Sequence, residues 1–203
     1  MTNDKITNIL MAGVGGQGTL LASEILSEVL MLAGYDVKKA EVHGMAQRGG
    51  SVVSHVRFGS KVYSAIIPEG DADILFGFEL LETYRYLPLL SRQGTVVVNN
   101  LRIAPPSVAL GQEAYPENIP ARLCRQVADV RVVDGLRLAE EAGDPRTVNT
   151  VLLGTLSNLL APSEDQWLAA IRTLVPERFL QVNLEAFRLG RAVTNPINVC
   201  QVF

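Results

Sequence analysis

The stretch that most constrains the fold is Ile6 to Leu26, "ITNILMAGVGGQGTLLASEIL". Ile6–Ala12 is apolar and bounded by glycine, which predicts a buried strand. Gly13, Gly15 and Gly18 follow it as G-x-G-x-x-G. Beyond the glycines, Leu20, Leu21, Ile25, Leu26, Val29 and Leu32 recur at helical spacing, and Gly34 is placed to stop the helix. Asp36–Val42 reads as a second strand. Strand, glycine turn, helix, strand is one βαβ unit, and such units predict parallel pairing of the two strands.

The same alternation continues. Ser51–Phe58 alternates in the manner of a strand, and Lys61–Ile67 is placed to pair back across Gly59-Ser60 as a β-hairpin. "ADILFGFE", "GTVVVNN" and "ADVRVVDG" read as further strands, and "LLETYRYLPLL" as a helix ending near Pro88. Leu101–Pro120 is a proline-rich connection of unusual length, a candidate for functional contacts. From Leu136 the pattern is helical: Leu136–Ala142, Thr147–Leu160, Glu164–Leu174 and Pro176–Arg191, with Ser163 followed by Glu164 and Asp165 as a helix start. The expected architecture is a Rossmann-like α/β fold: a doubly wound, mostly parallel sheet with a β-hairpin insertion and a helical C-terminal part. No repeat, low-complexity tract or linker divides residues 1–203, which predicts a single domain.

Composition removes several function classes. The 203 residues are 48% hydrophobic and 19% charged, with a net charge of −3, which is a globular composition without a basic nucleic-acid surface. The N-terminal apolar piece is short and ends in glycines, so it reads as a strand and not as a signal peptide. The apolar run at Leu152–Ala161 is too short and too interrupted to span a membrane. Two distant cysteines, Cys124 and Cys200, make no metal-spaced pair. A cubane iron–sulfur cluster needs more thiolates than this chain has. The expectation is two reduced thiols in a cytoplasmic protein.

Glycines after a strand allow a tight turn, and the helix N-terminus behind them favours an anion. Glu41, closing the second strand, stands about where a dinucleotide-binding fold keeps its ribose acid. A stand-alone NAD(P)-dependent oxidoreductase is therefore one reading. A glycine turn serving only strand-to-helix packing is another. Asp71 with Asn99 and Asn100 mimics a thiamine diphosphate signature, but Ala72 replaces its glycine and the strand follows the aspartate instead of preceding it. Turn and capping duties suit these three better.

Taken together, "MAGVGGQGTLLASEIL", "EVHGMAQRGGSVVSHVRFG", "ADILFGFELLETYRYLPLL" and "GTVVVNN" resemble the gamma-type subunit of 2-oxoacid:ferredoxin oxidoreductases, on the indolepyruvate side of that family. The likeness continues more loosely through "NTVLLGTLSNLL" and Ala186–Arg191. It implies a complex that oxidatively decarboxylates a 2-oxoacid to an acyl-CoA and reduces ferredoxin. Thiamine diphosphate, Mg2+ and iron–sulfur clusters are expected on a large partner subunit, and coenzyme A as co-substrate. This chain would then bind no cofactor with certainty, contact no nucleic acid or membrane, and be able to form a homodimer when isolated.

On that view His43, Gln47 and Arg48 are the candidate catalytic-site residues, with Arg48 as a fixed positive charge. Gly13, Gly15, Gly16, Gln17, Gly18, Gly49 and Gly50 are candidates for contact with phosphate or coenzyme A. The plainer readings are that Arg48 forms an internal ion pair, that His43 and His55 are structural, and that Gly49-Gly50 only starts the hairpin. A purely structural scaffold subunit is the remaining alternative.

Overall fold

A computed structural model describes residues 5–44 and 49–193, apart from the side chain of His43. Its frame is one six-stranded sheet in the order β2-β3-β1-β4-β5-β6. The strands are β1 (Thr7–Val14), β2 (Asp36–His43), β3 (Ser51–Gly59), β4 (Ala72–Gly77), β5 (Leu90–Asn99) and β6 (Asp129–Val133). β1, β4, β5 and β6 pair in parallel, whereas β3 runs antiparallel to both β1 and β2. The doubly wound, mostly parallel sheet is thus present, and its order reverses between β1 and β4.

Two strand expectations need correction. β1 and β2 point the same way but do not pair, because β3 lies between them. The hairpin is β2–β3, with Asp36 opposite Gly59 and His43 opposite Val52, and Lys61–Ile67 forms no strand. Side chains satisfy that segment instead of a ladder. Arg57 Nη1 donates to the Ser64 and Ile66 carbonyls at 3.0 Å each, and the Ile67 N–H donates to His55 Nδ1 at 3.2 Å. Val62 and Ile67 are buried, so the segment straps the sheet at its two ends while its backbone bonds elsewhere.

Alternation along β1 builds two cores. Ile9 and Met11 face a helical layer of α1 (Thr19–Leu32), α5 (Gly135–Ala142), α6 (Val148–Ser157), α7 (Glu164–Leu174) and α8 (Glu177–Arg191). Leu10 and Ala12 face the opposite layer, with Leu80 and Leu81 of α2 (Leu80–Arg85) and Ile119 and Leu123 of α4 (Ile119–Cys124). Between them, α3 (Pro106–Ala109) is a single turn in the long connection. The predicted C-terminal helices are all present. Gly34, at φ +86°, ends α1 as expected, and Ser163 with Gln166 forms a capping box at α7.

α6 is buried on nearly every side, packed against the sheet and α8, and its polar residues Asn149, Thr150, Thr155 and Ser157 are buried with the rest. It crosses α8 through two glycines. A Cβ on Gly154 would sit 2.1 Å from the Phe187 carbonyl, and one on Gly190 would sit 1.9 Å from that of Val151.

Cys124 is disulfide-bonded, which corrects the expectation of two reduced thiols. The compartment rule is a bias on redox conditions and does not act on a particular pair of sulfurs. Cys200 lies outside the described residues. Among the described residues, no helix is long and apolar enough to cross a membrane.

Candidate functional site

At the carboxyl end of β1 the chain must turn from the sheet into α1 within five residues, Val14 to Gly18. A side chain at Gly13 would collide with Gln17 Oε1 and Phe78 Cβ at 2.9 Å. Gly16 and Gly18 hold positive φ of +104° and +75°. The turn is braced from within. Gln17 Oε1 accepts the Val14 N–H at 2.7 Å, and Gln17 Nε2 donates to the Phe78 carbonyl at 3.0 Å. Asn99 Nδ2 donates to that same carbonyl at 3.2 Å, and Asn99 Oδ1 accepts the Gly135 N–H at 3.1 Å. These two amides join the ends of β1, β4 and β5 to the start of α5. Asn99 therefore has the capping duty expected of it.

The structure brings together two segments that are distant in sequence. The Gly15 N–H donates to the Gly50 carbonyl at 2.8 Å, and the Gly49 N–H donates to the Gly15 carbonyl at 3.3 Å. Gly49-Gly50 thus extends the β1–β3 ladder past Val14 and Ser51. Two N–H groups are thereby used inside the chain, and among the described residues those of Gly16 and Gly18 have no backbone partner. The Thr19 hydroxyl beside them is buried with no hydrogen-bond partner. His43 closes β2 at the same edge, whereas Gln47 and Arg48 lie outside the described residues.

Two clefts flank the turn. The larger, about 530 Å³, opens on the helical side where the strand order reverses, which is where doubly wound sheets bind ligands. Gly16, Gln17, Phe78, Leu136, Phe179 and Asn149 line it. Asn149 Nδ2 donates to the Gly18 carbonyl at 3.4 Å, tying α6 to the turn. On its rim Arg146 grips Asp144, with Nη2 at 2.6 Å, and this guanidinium holds the Asp144 carboxyl down at about 2. The wall residues Asp144, Arg146 and Asn149 were not foreseen. Their one sequence signal was the stretch "GDPRTVN" before an apolar helix, a helix start facing the sheet's carboxyl edge.

The second cleft, about 370 Å³, lies between Gly15, Gly16, Gly18 and Glu41, with Val52 in its wall. Glu41 shares it, but β3 puts this acid one strand farther from β1 than a ribose acid would be. Its carboxylate is also engaged by Lys39 at 2.9 Å and by the Ser23 hydroxyl at 3.2 Å. His55 is buried and accepts the Ile67 N–H, a structural role; burial, then the charge of Arg57, lowers its pKa.

The fold and the turn define a doubly wound α/β protein with one antiparallel strand set beside a glycine-rich turn. Residues 8–193 match the pyruvate ferredoxin/flavodoxin oxidoreductase family, and the chain belongs to it. It is 42% identical over 188 residues to the indolepyruvate oxidoreductase subunit IorB of Thermococcus kodakarensis, covering 90% of this chain and 93% of that one. The gamma subunit of a keto/oxoacid ferredoxin oxidoreductase from Geobacter sulfurreducens shares the fold at a TM-score of 0.67 and 24% identity, covering 91% of this chain and 95% of the other. The 2-oxoglutarate:ferredoxin oxidoreductase of Magnetococcus marinus, solved with 2-oxoglutarate, coenzyme A and succinyl-CoA, gives a TM-score of 0.72 at 23% identity. Here the match covers 93% of this chain and 31% of that one. The protein is a gamma-type subunit of a 2-oxoacid:ferredoxin oxidoreductase complex.

Proposed function

We propose that this chain closes the substrate side of an indolepyruvate-type oxidoreductase whose thiamine diphosphate, Mg2+ and iron–sulfur clusters are held by a large partner subunit. The complex would decarboxylate an aryl pyruvate, pass the electrons to ferredoxin and release an acyl-CoA. The observation that supports the reading is the Gly15–Gly50 junction, which joins Gly49-Gly50 to the glycine turn at the edge where β2 ends. Both coenzyme A and a 2-oxoacid are anions, and the free N–H groups at Gly16 and Gly18 suit either. The unpartnered Thr19 hydroxyl is a further donor at that turn. Arg48 would add the fixed charge, and His43 and Gln47 hydrogen bonds. The large apolar cleft beside the turn has the size of a cofactor-arm site. The relatives named for indolepyruvate support the choice of substrate.

On this reading residues 1–203 act as one cytoplasmic domain, and the isolated chain pairs with itself as a homodimer. The test is reconstitution with the partner subunit, coenzyme A and ferredoxin, using Arg48→Ala combined with Gln47→Ala. Turnover should fall at least ten-fold, on the scale of lost charge-assisted contacts. Unchanged assembly together with unchanged turnover would overturn the reading. A stand-alone nicotinamide enzyme is favoured only by Glu41 facing the glycine turn across the smaller cleft. It requires NAD(H) or NADP(H) to raise the melting temperature of the isolated chain.

A further inference from the structure

We infer that β2 is the surface through which two copies of this chain pair, edge to edge and antiparallel, in a register centred on Ala40. The inference rests on the self-association proposed above and names its surface. Among the described residues β2 ends the sheet, with no described strand beside its outer backbone groups. Such an edge is a template for another strand. Val42 at its end and Leu20 and Met31 on α1, which packs over it, are each about half exposed.

The charges of β2 choose the partner. Two identical strands join one sheet antiparallel about a two-fold axis perpendicular to it, and that symmetry keeps the same face up in both copies. Each permitted register therefore centres on a single residue, and the two registers of fullest overlap centre on Lys39 and on Ala40. The first sets Lys39 against Lys39 of the second copy. The second sets Lys39 opposite Glu41 twice, with Lys38 opposite Val42. Opposite charges directly across a ladder stabilise it, and like charges destabilise it.

Lys39 and Glu41 are already held side by side. Their charged groups are 2.9 Å apart on the α1 face, with the Ser23 hydroxyl 3.5 Å from the one and 3.2 Å from the other. Ala40, at the axis, brings no bulk where the copies approach most closely. Lysines on an edge usually block pairing. Here Glu41 two residues on neutralises Lys39, so of the two registers of fullest overlap the block acts against the one centred on Lys39. A charge pattern complementary to itself indicates a second copy of this chain and not an unrelated strand.

The test uses the full chain in sedimentation velocity across a concentration series at low and high salt. Wild type should form a dimer that high salt weakens. Lys39→Glu and Glu41→Lys should each raise the dissociation constant about ten-fold or more, since each turns two attractions into repulsions. Mixed in equal amounts, the two variants should recover the dimer, because each supplies the charges the other lacks. A purely structural defect would not be cured by mixing. Oxidised Ala40→Cys should crosslink residue 40 to residue 40 of the second copy, since directly opposed Cα atoms fall within disulfide range. A wild-type dimer that neither variant disturbs would overturn the β2 surface and leave self-association standing. A wild-type chain monomeric at every concentration would overturn both.

Discussion

The glycines after β1 and those where α6 meets α8 use the same missing side chain for different ends. At the crossing, Gly154 and Gly190 let two backbones approach so closely that an added Cβ would reach a carbonyl oxygen. At the turn, Gly16 meets nothing within 4 Å, and its need for glycine is conformational. The helix pair is required by packing against backbone, whereas Gly16 leaves room beside a cleft. The difference teaches that Gly16, inside the conspicuous motif, carries less of the fold than the unremarked pair in the helices. The space the motif leaves open is therefore where function should be sought.

The comparison predicts its largest effect at the crossing. Gly190→Ala should cost about 3 kcal/mol or more, because neither backbone can retreat without separating α6 from α8. For a chain of this length that is roughly 6–12 °C in melting temperature. A loss under about 1 kcal/mol by thermal or denaturant unfolding would show that the helices can part cheaply. Gln17→Met should rank next, at about 2 kcal/mol. It removes the acceptor for the Val14 N–H and one of two donors to the Phe78 carbonyl while keeping most of the volume. Asn99 still serves Phe78, so the damage should concentrate at β1, read as faster amide exchange at Val14.

Gly18→Ala comes third, at about 1–2 kcal/mol, from its positive φ and from Asn149 Nδ2 at 2.7 Å. Because that neighbour is the end of a side chain, the pair can be tested as a cycle. Asn149→Ala should relieve the steric share and leave the backbone share. Full additivity would show that Asn149 does not hem in the turn.

Much of this architecture is legible in the amino-acid sequence. The glycine motif marked β1 and α1, and the start and stop residues placed α7 and the end of α1. The insertion of β3 between β1 and β2 was not legible, because local alternation states that a strand exists and not which neighbour it takes. The strap at Lys61–Ile67 failed for a related reason. Its apolar residues suggest a strand, but Arg57 and His55 bond its backbone in place of a ladder. At the site, the motif predicted a turn that offers its N–H groups outward. It could not reveal that the Gly15 N–H goes to the Gly50 carbonyl and the Gly49 N–H to the Gly15 carbonyl, since that depends on a contact between segments far apart in sequence.

The smallest change in stability should carry the largest functional contrast. Gly16→Ala adds a methyl where no atom lies within 4 Å, so its cost is backbone strain of about 1 kcal/mol. That methyl would stand at a residue bordering both clefts, next to the N–H groups left free at the turn. If the turn receives coenzyme A or the 2-oxoacid, the reconstituted complex should show a several-fold rise in KM for that substrate. Assembly with the partner subunit should stay intact, and the melting temperature should fall by only a few degrees. Gly190→Ala should do the reverse: unfold early and, at temperatures where it remains folded, turn over with ordinary KM values. Kinetic constants unchanged in Gly16→Ala would make the turn a packing device like the crossing. The free donors beside it would then need no ligand.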